Sequence, residues 1–210
     1  MTGGEGNDTY VVDYGTDKTI EQSGANTGTD TVLAYLTWTL GNDVENLALM
    51  GLSALNGTGN ALNNIMQGNG AANVLKGLTG TDSISGGGGN DTITGGAGSD
   101  VLAGGAGLDF FVFDTALGTT NIDIITDFSI VDDTLHLVGF AAFPGLPVGP
   151  LAASAFYAGT GTLTAAHRII YNPATGALFF DKDGSGVVAP VQFATLIGLP
   201  VIDHTDIGVI

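Results

Sequence analysis

One apolar residue returns at every ninth position through the middle of the chain: Met66, Leu75, Ile84, Ile93, Leu102 and Phe111. The residues between them are mainly glycine, asparagine, aspartate and other small or polar types. An amphipathic helix would renew its apolar face every three to four residues, and that period is missing here. The pattern predicts short strands, each with one inward-facing side chain, separated by tight turns. Two nonapeptides then make one 18-residue coil, so alternate turns stack on the same side at the strand spacing of about 4.8 Å.

Read in nines, the turns have a common form. Gly86–Thr94 (GGGGNDTIT), Gly95–Ala103 (GGAGSDVLA) and Gly104–Val112 (GGAGLDFFV) each read G-G-x-G-x-D-x-U-x, with U apolar. Gly77–Ser85 keeps its acid, Asp82, but has Leu78 at the second glycine position; Gly68–Lys76 and Gly59–Gln67 place Asn73 and Asn64 where the aspartate would be. Glycines at positions 1, 2 and 4 let the backbone take positive-φ conformations and turn its carbonyls inward. Position 6 is then the fixed side-chain donor, and a carboxylate suits a hard cation that takes six to eight oxygens. The 18-residue step predicts two ladders: Asn64, Asp82, Asp100, and Asn73, Asp91, Asp109, the second continued by Asp127. Stacked carboxylates repel when bare and are bridged by a dication, which makes the metal part of the fold.

The nonapeptide resembles the repeat of the RTX family, the calcium-binding, type I-secreted proteins that include serralysin-type proteases, lipases and adhesins. The resemblance implies an all-β fold: a parallel β-roll or β-solenoid with a C-terminal antiparallel β cap. It implies calcium as the cofactor, held between two same-side turns. The donors are the carbonyls of positions 2 and 4 with the aspartate of one turn, then the carbonyls of positions 1 and 3 with the aspartate of the next. Carried over, one site takes Leu78, Gly80 and Asp82 with Gly95, Ala97 and Asp100. A second takes Gly87, Gly89 and Asp91 with Gly104, Ala106 and Asp109. A third joins Gly105, Gly107 and Asp109 to Asp127, and a fourth, Gly96, Gly98 and Asp100, finds Gly118 rather than an acid 18 residues on, with Asp114 near. The asparagine turns depart from the pattern and are expected to be able to stack without metal.

Charge strengthens this picture. Four basic residues (Lys18, Lys76, Arg168, Lys182) stand against 21 acids in 210 residues, a formal charge of −17. Nucleic-acid binding needs a basic footprint and is excluded. Glycine, 35 of 210 residues, far exceeds the ordinary share of about 7%, while 44% hydrophobic residues leave enough apolar surface to bury. With no cysteine, no disulfide supports the fold, and calcium is the expected substitute.

Three regions are expected: residues 1–58, an N-terminal repeat with irregular coils; 59–114, the nonapeptide roll; and 115–210, a capping β region. Gly3–Val11 (GGEGNDTYV) is a further full repeat with Asp8 as its candidate metal ligand, to be completed by Asp30 or Asp13. Its start directly after Met1 reads as a piece of a longer secreted protein, with a genuinely short protein as the alternative. Lys18–Glu21, Thr31–Tyr35 and Asn46–Leu49 read as short strands, and the segment around them resembles the spacer before many RTX arrays, with Tyr35 and Trp38 in packing roles. The bulky Phe110–Asp114 is expected to plug the roll, before the closing segments Ile122–Phe128 and Asp133–Leu137. Arg168–Asn172, Gly176–Phe180 and Val187–Leu196 then read as an antiparallel meander. The turn Asp181–Gly186 reads either as the start of a calcium loop or as a plain Asp-Gly turn, leaning to no tight site. The end, Asp203–Ile210, is similar to uncleaved type I secretion signals and reads equally as a final edge strand.

No catalytic set is apparent. The sequence has neither H-E-x-x-H nor G-x-S-x-G, and His136, His167 and His204 lack ligand spacing. Proline and glycine interrupt the charge-free stretch Thr134–His167, so a membrane helix is a poor reading. Two functions are expected. One is a non-enzymatic, secreted module that folds on extracellular calcium and engages the type I secretion apparatus. The alternative is a cell-surface adhesive module that self-associates through open solenoid ends or the uncharged Val138–Leu163 region.

Overall fold

The computed structural model describes residues 1–21, 28–140, 142–184 and 186–210. The chain winds as a solenoid whose successive strands, from Thr31–Ala34 to Thr134–Leu137, alternate between two sheets. The larger, 11-stranded sheet runs Thr9–Val12, Thr31–Ala34, Asn46–Leu49, Ile65–Gln67, Ser83–Gly88, Val101–Ala106 and Asp123–Ile125, all parallel. The 8-stranded sheet takes the alternate strands Trp38–Thr39, Asn56–Thr58, Val74–Thr79, Thr92–Ala97, Phe110–Phe113 and Thr134–Leu137, also parallel. The nine-residue apolar period puts one side chain per strand into the space between the sheets. Met66, Leu75, Ile84, Ile93, Leu102 and Phe111 are all at most 1% exposed. No helix among the described residues is long and apolar enough to cross a membrane.

The flanking regions follow the same rule less regularly. Thr31–Ala34 and Asn46–Leu49 are strands, whereas Lys18–Glu21 forms only an isolated parallel bridge, Thr2 with Ile20. Trp38 is partly buried against the core and Tyr35 is half exposed. Phe111 and Phe113 enter the core, but they do not end the stack. Phe111 meets Phe128, and Phe113 meets Phe193 edge-on at 5.1 Å.

The C-terminal region carries the expected antiparallel β element and joins it to the roll. Its meander exists, with Ile169–Asn172, Ala177–Phe180 and Val191–Leu196 pairing antiparallel. Yet Val191–Leu196 pairs parallel with Asp123–Ile125, and Ile207–Val209 pairs parallel with Thr134–Leu137. Both sheets of the roll therefore continue into the C-terminal region. Ile207–Val209 is not an edge strand either, because Gly149–Pro150 covers its other side. An exposed edge offers unpaired N–H and C=O groups; this covering removes one.

Candidate metal centre

The residue just before each strand forms a rung, and rungs on one side share a hydrogen-bond pattern. Asn64 N–H donates to Asp82 Oδ1 (2.7 Å), and Asp82 N–H to Asp100 Oδ1 (2.8 Å). On the other side Asn73 N–H donates to Asp91 (2.7 Å), and Asp91 N–H to Asp109 (2.8 Å). Each carboxylate thus uses one oxygen to hold the coil before it. The other oxygen is orphaned: Oδ2 of Asp82, Asp91, Asp100 and Asp109 is buried without a hydrogen-bond partner. An unsatisfied buried carboxylate oxygen is costly, and no lysine or arginine compensates it. The one ion pair among the described residues is His204 with Asp203, at the surface.

The ladders end on different residues than the 18-residue step predicts. Asp100 N–H donates to Asp123 Oδ1 and Asp109 N–H to Asp133 Oδ1, both at 3.1 Å. Asp127 does not continue the second ladder; its two oxygens instead accept Gly104 N–H and Gly105 N–H, each at 2.9 Å. Asp123 also gives Asp100 the rung that Gly118 lacks and that Asp114 does not supply. The cause is local. Longer connections precede these two strands, so the rungs fall 23 and 24 residues on rather than 18.

Backbone carbonyls complete the cradle. A Cβ added to Gly96 would lie 2.1 Å from the Leu78 carbonyl oxygen, and one on Gly98 1.6 Å from that of Gly80. Gly105 and Gly107 face the carbonyls of Gly87 and Gly89 in the same way, at 2.1 and 1.9 Å. A Cβ on Gly77 would meet Asp82 Oδ2 at 2.1 Å and the Gly95 oxygen at 2.5 Å; one on Gly86 would meet Asp91 Oδ2 at 2.2 Å and the Gly104 oxygen at 2.6 Å. These glycines are therefore required, because any side chain would fill the space onto which the oxygens converge. Leu78 is the exception, held at φ 82° with its side chain half exposed. Of the two expected position-3 carbonyls, that of Ala97 accepts Gly80 N–H at 3.0 Å, and Ala106 lies at the end of the strand paired with Ser83–Gly88.

Burial raises the ladder carboxyls above their usual range. Asp82, Asp91 and Asp133 are pushed up to about 6 and Asp123 to about 7, with backbone N–H donation opposing the rise and neighbouring carboxylates adding to it. Asp100 and Asp109 move in the same direction for the same first cause. The site favours protons or cations over bare charge.

The asparagine turns are different. Asn73 Oδ1 accepts Asn69 N–H and its Nδ2 donates to the Leu55 carbonyl, both at 2.8 Å. Asn69 Nδ2 reaches the Ser53 carbonyl at 2.9 Å. Asn64 and Asn60 repeat this arrangement, donating to the Glu45 and Val44 carbonyls. Their amides therefore supply internally the donors that the aspartate turns lack.

Among the other candidates, Asp8 N–H donates to Asp30 Oδ1 at 2.8 Å, which joins those two rungs. Asp13 is not part of this pair; it sits in a local turn around Asp17. In the Asp181–Gly186 turn, Asp181 accepts Asp183 N–H and Asp183 accepts Val188 N–H, while Ser185 lies outside the described residues.

Orphaned carboxylate oxygens, convergent carbonyls and parallel coils together define a calcium-binding parallel β-roll. Comparison with known families agrees: residues 58–93 and 76–111 match the RTX calcium-binding nonapeptide repeat (4 copies). Residues 58–111, about a quarter of the chain, are thus an array of RTX calcium-binding repeats. No curated protein matches the chain. The cofactor of such repeats is calcium, and the donor set is all oxygen, as that ion requires.

Proposed function

We propose that this chain is a calcium-dependent folding and stabilising module of a secreted protein rather than an enzyme. It stays incompletely folded where calcium is scarce, leaves the cell through a type I apparatus, and completes its fold in extracellular calcium. The observation that carries this reading is the row of four buried aspartate oxygens without partners. The ions would be held by Leu78, Gly80 and Asp82 with Gly95 and Asp100, and by Gly87, Gly89 and Asp91 with Gly104 and Asp109. Two further sites would take Gly96, Gly98 and Asp100 with Asp123, and Gly105, Gly107 and Asp109 with Asp133. Bound calcium supplies positive charge to stacked carboxylates, so its binding free energy becomes folding free energy.

Circular dichroism during a calcium titration, with magnesium as control, tests this. The expected result is a cooperative gain of β signal with calcium alone, since magnesium demands a tighter octahedral site and dehydrates reluctantly. A spectrum that is unchanged between chelator and saturating calcium overturns it. A second reading, self-association, draws on the exposed Phe140 and Val148 within the uncharged region. Sedimentation of the calcium-loaded chain decides it: a monomer at high concentration excludes it.

A further inference from the structure

A second cluster of acids lies outside the array, at the first coil. Asp8, Glu21 and Asp30 each bring a carboxylate oxygen to within 4.8 Å of the others. They come from three places: the first repeat, the chain crossing above it, and the residue before Thr31–Ala34. Acidic residues gather without consequence on many surfaces, so the decisive feature is a fourth group. Tyr10 is 3% exposed, and its hydroxyl has no hydrogen-bond partner. The two Glu21 oxygens are likewise buried and unpartnered. A Cβ added to Gly3 would lie 2.2 Å from the Tyr10 hydroxyl, 2.4 Å from Glu21 Oε1 and 2.7 Å from Asp8 Oδ2. The three oxygens thus converge on one space, open because residue 3 is glycine.

A comparable acid elsewhere in the stack has no such need. Asp127 also lies over the first glycines of a repeat, and both its oxygens accept backbone N–H groups from Gly104 and Gly105. Glu21 has neither bond. Here the backbone N–H of Gly4 is taken by Asp8, at 3.0 Å, and that of Asp30 donates to Glu45.

We propose that Asp8, Glu21 and Asp30, with the Tyr10 hydroxyl, form a separate calcium site that ties the first repeat to the coil above it. Its chemistry differs from that of the array, because three side-chain carboxylates supply the oxygens rather than backbone carbonyls with one aspartate per turn. It also lies outside the residues that match the repeat family. More carboxylates on one ion raise affinity, so this site fills at lower calcium than the array does.

Terbium replaces calcium at oxygen sites and emits when a nearby tyrosine absorbs, which gives this site its own signal. The intact chain is expected to show tyrosine-sensitised terbium emission, displaced by calcium. Glu21→Gln should weaken that signal's affinity at least tenfold and bind one calcium ion fewer by equilibrium dialysis, while the calcium response of the array's circular dichroism is retained. Tyr10→Phe, which keeps the ring in the core, should remove the emission. Absence of sensitised emission from the wild-type chain at saturating terbium overturns the proposal without reference to any variant. So does a Glu21→Gln chain with unchanged emission and ion count, or emission that persists in Tyr10→Phe.

Discussion

Residues 59–76 and 77–112 have the same repeat length, the same inward apolar residue and the same parallel register, yet they are stabilised differently. In the first segment Asn64 and Asn73 stand at the rungs, and each amide accepts one backbone N–H and donates to carbonyls of the preceding coil. In the second, Asp82, Asp91, Asp100 and Asp109 accept a backbone N–H with one oxygen and leave the other buried and unpaired. Replacing an amide NH2 by a carboxylate oxygen, a change of one atom, converts a self-sufficient turn into one that needs a cation. The asparagine coils are therefore expected to stand without metal, and the aspartate coils to need it.

The largest effect expected from breaking this contrast comes from the aspartates. Asp91→Ala removes a rung of one site and Asp109→Ala a rung shared by two consecutive sites; each should raise the calcium midpoint of folding about tenfold or more, the equivalent of at least about 1.4 kcal/mol. A titration followed by circular dichroism checks it, and an unchanged midpoint for Asp91→Ala would mean that the rungs do not hold the ion. The reverse exchange should be next in size. Asn73→Asp leaves the Leu55 carbonyl without its donor and adds charge beside Asp91, so it should cost about 1–3 kcal/mol in chelator, read from urea unfolding, and less when calcium is present.

Protonation sharpens the same contrast. Without metal, the raised carboxyls of Asp82, Asp91, Asp133 (about 6) and Asp123 (about 7) mean that the folded state holds more protons than the unfolded one. Stability in chelator is then greatest below the unfolded value of about 4 and falls as pH rises through 6 and 7. Calcium holds the same groups ionised, which reverses the sign: stability is present at neutral pH and lost on acidification. Thermal melts near pH 4.5 and 7.5, in chelator and in calcium, should show opposite slopes. The smallest effect concerns Leu78, the non-glycine at φ 82° in the first aspartate turn. Leu78→Gly relieves a left-handed residue that costs about 1–2 kcal/mol, less glycine's added entropy, and should raise the calcium-loaded melting temperature slightly.

Much of this was legible in the sequence. The nine-residue apolar period placed Met66 through Phe111 in the core, and the glycine spacing placed the turns. What a fixed 18-residue step could not supply was the end of each ladder. Asp127 satisfies that count, but strands start where an acid precedes a β-forming pair, not at a set distance. Asp133-Thr134-Leu135 repeats the frame of Asp91-Thr92-Ile93, Asp30-Thr31-Val32 and Asp8-Thr9-Tyr10, and the strand onset would have found it. Glu21 carried no such signal. It lies in no nonapeptide, and only the coil geometry brings it over Gly3. The parallel docking of Val191–Leu196 and Ile207–Val209 was hidden for a similar reason, because a short apolar strand does not encode which neighbour it pairs with.

Hydrogen exchange resolved by segment, in calcium and in chelator, tests the contrast most directly, because protection reports local opening. Both segments should be protected in calcium, while in chelator residues 59–76 should keep slow amides and residues 77–112 should exchange freely. Equal protection of the two segments in chelator would contradict the account, since the aspartate coils would then stand without the cation.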